Sequence, residues 1–233
     1  MPVTKSEMAN LVITIDGPAA SGKSTVARLL AERIGASFLD TGAMYRAVTL
    51  AAINSGADMS DEEKLLSVLG SSEFQFTFIE GRMVVFIDGV DVTEQIRRPE
   101  VTANARYIAS AVKMREKLVE MQRKFVAREK KIVAEGRDQG TVAFPEADVK
   151  FFLTADVKER ARRRRDESLR DENLEQIQRA IEERDKSDRD RTVGPLRPAE
   201  DAVVIDTTDL SIEEVVEKLL RYVEERCRKK NQK

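Results

Sequence analysis

The chain has 233 residues, 35% charged and 5% aromatic, with no Trp, no His and a net charge of −2. That is a helix-rich profile with enough Leu, Val, Ile and Ala for a core, at a length suiting one large α/β domain or two small ones. The charge excludes a globally basic nucleic-acid binder, the missing histidine excludes His-based triads, zinc sites and general bases, and no apolar run approaches a membrane span.

In chain order, Met1 to Asn10 lacks the basic start and apolar stretch of a secretory signal, which predicts a cytoplasmic protein. Leu11 to Ile15 is a short apolar run, β-branched at four of five positions, and predicts a buried parallel strand bounded by Asp16-Gly17-Pro18. Lys23 to Ile34 has Val26, Leu29, Leu30 and Ile34 at helical spacing, with Gly35 where a C-terminal cap belongs. Further strands are predicted at Ser37 to Leu39, Lys131 to Ala134, Val149 to Leu153 and Ala202 to Ile205, most of them separated by helical patterns. Such alternation is what a parallel sheet requires. Phe74, Phe76 and Phe78 break it: they alternate with polar residues, turn at Glu80-Gly81, return through Met83 to Ile87, and turn again at Asp88-Gly89 into Val90 to Val92. This predicts a small antiparallel insert. The closing helix opens on a capping box, Ser211 with Glu214, and shows Ile212, Val215, Val216, Leu219, Leu220 and Val223 to the core. From Arg226 onward the tail is expected to fray. Cys227, the single cysteine, cannot form an internal disulfide, as suits a reducing compartment.

Gly17-Pro18-Ala19-Ala20-Ser21-Gly22-Lys23-Ser24 matches G-x-x-x-x-G-K-[ST] at every fixed position, after a predicted strand and before a predicted helix. Backbone N–H groups curling round a phosphate demand little side-chain bulk, and the following helix points its positive end at the same anion. Lys23 is expected on the β- and γ-phosphates of ATP, the Ser24 hydroxyl on Mg²⁺, and Thr25 on the α-phosphate side. Neither D-x-x-G nor N-K-x-D occurs, so a GTPase switch is excluded, and a motor would need more chain.

A kinase needs a second anion site. Asp40-Thr41-Gly42-Ala43-Met44-Tyr45-Arg46 opens a helix at the end of the second strand, the edge of a parallel sheet where the loop also lies. Thr41, Tyr45 and Arg46 would suit an acceptor phosphate with its sugar or base; an ordinary capped surface helix is the alternative. Glu135-Gly136-Arg137-Asp138-Gln139-Gly140-Thr141 follows the Lys131 strand. Arg137 reads as a clamp on transferring phosphoryl oxygens, Glu135 as an organiser of the Mg²⁺ water shell, and Asp138 as an acceptor for an exocyclic amine. A solvated turn is the competing reading. Arginine-rich stretches at Glu159 to Arg165 and Glu183 to Arg191 are charge runs that read as a solvated salt-bridged face, as an RNA patch, or as two helices joined near Arg170-Asp171 in a mobile lid. Acids interleave these arginines and no stacking aromatics accompany them, which argues against RNA.

Taken together, these motifs resemble those of bacterial cytidylate kinases of the longer type, from Leu11 to about Val223. The resemblance implies a P-loop α/β core with a five-stranded parallel sheet flanked by helices, a nucleoside-monophosphate-binding insert and a short helical lid. Core segments are placed at 11–65, 97–157 and 190–225, the insert at about 66–96 and the lid at about 158–189. It also implies transfer from ATP, with Mg²⁺, to CMP or dCMP. By motif, Thr41, Tyr45 and Arg46 line the CMP site, Arg115 and Asp138 read cytosine, Arg137, Arg184 and Arg191 hold phosphates, and Asp188 takes the ribose hydroxyl. Glu135 stands where Asp is frequent in this family, and Arg106 where a small hydroxyl residue is usual. Lys23, Arg137, Arg160 and Arg164 are the expected catalytic cations. A monomer without nucleic-acid or membrane partners is expected. The alternatives are a kinase for UMP, AMP or shikimate, and an ATP-responsive RNA-binding protein.

Overall fold

Leu11–Asp16 forms β1, and its side chains are buried on both faces, with Ile13 and Ile15 at 0% exposure, which is why the run is apolar without alternation. The structure is a computed structural model that describes residues 11–79, 82–167 and 173–231. The expected Glu80-Gly81 turn, the junction near Arg170-Asp171 and the segment Met1 to Asn10 lie outside the described residues. The chain divides into two compact units, one taking residues up to Ser37 with those from Glu129 on, the other Phe38–Arg128.

In the first unit, β1 leads through residues 17–22 into α1, Lys23–Ile34, which buries Val26, Ala27, Leu30, Ala31 and Ile34. Gly35 ends the helix at φ 63°, ψ 47°, a left-handed cap that only glycine adopts without cost, and Ala36 N–H closes on Ala31 O at 2.8 Å. With β2 (Ser37–Asp40), β6 (Lys131–Glu135), β7 (Val149–Thr154) and β8 (Val203–Asp206), β1 belongs to a five-stranded parallel sheet of order β2-β6-β1-β7-β8. β1 pairs in parallel with β6 on one side and β7 on the other, Ile13 lying opposite both Val133 and Val149. Parallel register fixes function here. It brings the exits of β1, β6 and β7 to one edge, so the loop after Asp16 emerges between the segment after Glu135 and the segment after Thr154. Helices α6 (Val157–Glu167) and α7 (Leu174–Arg189) follow β7.

The closing helix α8 runs Ile212–Asn231 behind its capping box, Ser211 N–H donating to Glu214 Oε2 at 2.8 Å and Glu214 N–H to Ser211 Oγ at 3.2 Å. Val215, Val216, Leu219 and Val223 are buried as expected. The expectation that the tail frays from Arg226 is corrected as far as Asn231, the last described residue. Cys227, four residues beyond Val223, continues the buried stripe, and Arg226 Nε donates to Asp148 O, so helix persists to Asn231.

The second unit holds α2 (Thr41–Asn54), α3 (Glu62–Ser71), α4 (Pro99–Ser110), α5 (Val112–Val126) and the expected meander of β3 (Phe74–Ile79), β4 (Arg82–Ile87) and β5 (Val90–Asp91). Phe74, Phe76 and Phe78 share the half-buried face of β3, and Phe78 meets Phe125 of α5 edge-on at 5.5 Å between ring centroids. Asp88 and Gly89 both take positive φ, the turn that β4 and β5 need. Among the described residues no helix is long and apolar enough to cross a membrane.

Candidate active site

The loop 17–22 is held in a conformation that its sequence alone would not keep. Gly17 adopts φ 147°, and a Cβ there would lie 2.0 Å from Leu153 O of β7, so no side chain fits. Ala20 sits at φ 58°, a left-handed conformation that costs an L-residue about 1–2 kcal/mol. Contacts compensate: Ala20 packs on the apolar cluster Ala161, Ile177 and Ile181 between α6 and α7. Successive residues of this kind turn their N–H groups into one concavity, an anion nest.

Lys23, 4% exposed, closes the loop on itself by donating from Nζ to Pro18 O at 2.7 Å. The same ammonium lies 3.7 Å from Glu135 Oε1, and Ser24 Oγ donates to Glu135 Oε2 at 2.9 Å. Glu135 ends β6, so the parallel pairing of β1 with β6 delivers it to the loop. Arg137 lies 3.8 Å from Glu135 Oε1, and its Nε donates to Asp188 Oδ2 at 2.9 Å; the other oxygen of Asp188 accepts from Arg191.

Charge is concentrated here against its own interest. Burial, then repulsion from Arg137, lowers the Lys23 amine to about 7 although Glu135 opposes the change, and Arg184 adds to the lowering. Burial works against ionised Asp188, but Arg137, Arg191 and Arg184 together outweigh it and hold the carboxyl below its ordinary range. Arg137 stays firmly charged: burial disfavours the cation, and Asp188 and Glu135 more than restore it. Such a cluster of cations is stabilised most by an anion of several charges placed among them.

The segment after β6 is not the solvated turn that was the competing reading. Asp138 and Gln139 are 4% and 2% exposed, and Gln139–Ala143 forms a π-helical turn, a backbone irregularity frequent at functional sites. Asp16 holds it. Its two oxygens accept from the N–H groups of Gln139 and Gly140 at 2.9 and 2.8 Å. Burial, only partly countered by those two bonds, pushes the Asp16 carboxyl up to about 7.

Within the first unit the structure therefore joins residues 17–24, Glu135, Arg137, Asp188 and Arg191 in one network, with Arg184 exposed beside it. Asp138 is buried at the start of the π-turn. Arg160, 7% exposed, donates to Ala155 O, to Ala19 O and to Asp185, whereas Thr25 and Arg164 lie on exposed surfaces of α1 and α6. In the second unit Asp40 caps α2 through Ala43 N–H at 2.9 Å and takes Arg46 Nη2 at 3.0 Å. Burial disfavours the Asp40 anion, but Arg46 and the cap bond outweigh it. Thr41 is buried beside this cap, and the Arg115 guanidinium lies 5.8 Å from the Tyr45 ring centroid. Arg106 is exposed and stacks on its neighbour Tyr107.

Sequence reasoning missed Asp16 and Asp185. For Asp185 a signal existed: α7 buries Ile177, Ile181, Asp185 and Asp188, one stripe at helical spacing on which acids continue the apolar residues. For Asp16 there was none, since its partners lie more than 120 residues away.

The cytidylate kinase family model matches residues 13–225. Cytidylate kinase of Bacillus subtilis is 45% identical over 221 residues, 94% of this chain and 98% of its own length. That of Bacillus cereus is 45% identical over 214 residues, 91% of this chain and 95% of its own. A solved gluconokinase from Sinorhizobium meliloti superposes with a TM-score of 0.50 at 14% identity, over 93% of this chain and 94% of its own, a likeness of fold alone.

Proposed function

The chain belongs to the cytidylate kinase family, and on that premise we propose that it transfers the γ-phosphoryl group of ATP to CMP, and to dCMP, giving ADP and CDP or dCDP. The observation carrying this reading is the set Lys23, Arg137 and Ser24 gathered on the buried Glu135 beside the phosphate loop, with Arg184 and Arg191 around Asp188. Phosphoryl transfer asks little covalent help of a protein; it needs in-line placement and positive charge round the equatorial oxygens. The loop amides of 17–24 and Lys23 are assigned to the donor phosphates, with Thr25 on the α-phosphate side. Arg137 is assigned to the transferring group, and Arg160 and Arg164 to charge from the lid, Arg160 acting from its place against Ala19 O. An acceptor phosphate is already anionic near neutral pH, so no general base is required and the lack of histidine costs nothing.

For the acceptor, motif by motif, Thr41, Tyr45, Arg46 and Arg115 are assigned to CMP within the second unit, and Asp138, Arg184, Asp188 and Arg191 within the first. Segments 66–96 and 158–189 are assigned as acceptor-binding insert and lid. The Ser24 hydroxyl and the Glu135 carboxylate are an all-oxygen donor pair 2.9 Å apart, which fits a hard cation. Mg²⁺ is ordinarily held by one or two protein oxygens together with substrate phosphates and water, which a pair of this kind suits. When bound, Mg²⁺ neutralises charge on the β- and γ-phosphates. The working form is assigned as a cytoplasmic monomer.

The test is ADP release with Mg-ATP against CMP, dCMP, UMP and AMP in parallel. Turnover strongest with CMP is expected. Turnover confined to UMP or AMP would remove the assignments of Arg115 and Asp138, and ATP binding without any acceptor would remove the proposal.

A further inference from the structure

The phosphate loop is gripped from outside at one residue, Ala19, through the two peptide groups that flank its Cα. Ala19 N–H donates to Asp185 Oδ1 at 3.0 Å, and Ala19 O accepts from Arg160 Nη1 at 3.0 Å. Arg160 Nη1 also meets Asp185 Oδ2 at 2.5 Å, so carboxylate, guanidinium and the Ala19 backbone close a single ring. All three are buried, Asp185 at 1%, Ala19 and Arg160 at 7%. The next residue, Ala20, is the one held at positive φ, and it packs on Ala161, Ile177 and Ile181 of the same two helices.

A buried ion pair by itself is weak evidence of anything beyond packing. Here, though, both ends of the pair land on the backbone of the same residue of the anion-binding loop, Asp185 on the Pro18–Ala19 peptide and Arg160 on the Ala19–Ala20 peptide, next to its strained residue. Strain of this kind persists only where the surroundings over-determine it. Fixing the peptide planes on both sides of Ala19 fixes its φ and ψ and where the Ala20 amide aims, and leaves only two soft dihedrals per residue to set the amides of Ser21 and Gly22. The Ala19 N–H itself is spent on Asp185, so its job is to hold the nest, not to touch the ligand. One turn further along the same stripe of α7, Asp188 holds Arg137 and Arg191.

We propose that Asp185 is a positioning residue for nucleoside triphosphate binding: with Arg160 it locks the two peptides that flank Ala19 and so keeps the phosphate loop pre-formed before ATP arrives. This rests on the loop being the ATP site, as assigned above, but not on the identity of the acceptor. The α6–α7 pair then has a second task besides any lid motion, as the brace that sets donor affinity.

The experiment is calorimetric titration of Mg-ATP, and separately of CMP, into the full chain and into Asp185→Asn. Asn keeps the shape and one acceptor but cannot accept from Arg160 and Ala19 N–H together. Loss of a buried, charge-assisted bond is expected to weaken Mg-ATP binding on the order of tenfold or more, with CMP affinity within about twofold and the melting transition still cooperative. Mg-ATP affinity within twofold of the parent in a folded variant overturns the proposal. Should Asp185→Asn fail to fold, the paired change Arg160→Met with Asp185→Leu replaces the buried pair by apolar groups of similar size, and the same loss of ATP affinity is expected. Amide hydrogen exchange on the unaltered protein decides independently of any variant. Ala19 N–H is expected to be protected without nucleotide to a degree comparable with the amides of α1; rapid exchange that slows only when Mg-ATP is added overturns the brace. A parent protein that binds ATP but leaves CMP unphosphorylated would remove the proposed function, and these affinities and exchange rates would still judge Asp185.

Discussion

Replacing Asp16 by Asn should change how stability depends on pH, in a direction and by an amount that the geometry sets. The carboxyl is buried at 4% exposure, accepts two backbone N–H bonds, and is nonetheless raised from 3.8 to about 7 because burial outweighs those bonds and Asp138 and Glu135 add to it. A group raised on folding binds its proton more tightly in the native chain. Its stabilising contribution is therefore fully present below the unfolded value and disappears as pH rises through the folded one. The full span between 3.8 and about 7 corresponds to about 4 kcal/mol at 1.36 kcal/mol per pKa unit. Between pH 5 and pH 8 the wild-type chain should lose roughly 2–3 kcal/mol from this group alone. Asn does not titrate, so the stability difference between variant and wild type should shift in favour of the variant by that amount over the same interval. Any constant penalty for losing one acceptor cancels. Urea unfolding of both proteins at pH 5 and pH 8 measures it. Parallel pH profiles for the two proteins would refute the reasoning, and a shift of opposite sign would mean that Asp16 is ionised and stabilised by its two N–H partners.

Lys23→Ala should lower turnover by orders of magnitude while circular dichroism and cooperative melting persist, since the ammonium is assigned to the β- and γ-phosphates; near wild-type turnover would sink that assignment. Gly17→Ala places a Cβ 2.0 Å from Leu153 O, so β7 or the loop must move, and both a lower melting temperature and loss of Mg-ATP binding are expected in calorimetry and melts. Asp188→Asn keeps the shape of a carboxylate that holds Arg137 and Arg191 but removes its charge. The KM for CMP should rise on the order of tenfold or more, with ATP affinity changed far less, and equal losses for both substrates would contradict the placement.

The parts of the fold that could be read from the chain are those with local signatures. The β1 run, the loop spacing, the capping box at Ser211 and the Asp88-Gly89 turn each carry their chemistry within a few residues, and each forms where expected. The helical stripe of α8 was legible too, but reading stopped at Val223 because Cys227 sits among charged residues that mask the period. What escaped depends on distant pairing. Asp16 reads as a strand-end turn residue until β1 and β6 are laid side by side and the π-turn after Arg137 comes within reach of its two oxygens. Likewise Asp185 looked like one member of a solvated charge run, and only its place on the buried stripe with Ile177 and Ile181 distinguishes it. Arg160 was singled out for its charge; its bonds to Ala19 O and Asp185 needed the packing of α6 on α7.

The most direct measurement is a competition: limiting Mg-ATP labelled at its γ-phosphorus with equimolar CMP, UMP and AMP in one vessel, and the labelled diphosphates separated and quantified over time, so that the unlabelled ADP left by every transfer is not counted. The account predicts CDP as the dominant labelled product from the first time points, with the preference lost when Asp138 or Arg115 is replaced. Labelled UDP, or labelled ADP formed from AMP, in excess of labelled CDP would contradict it.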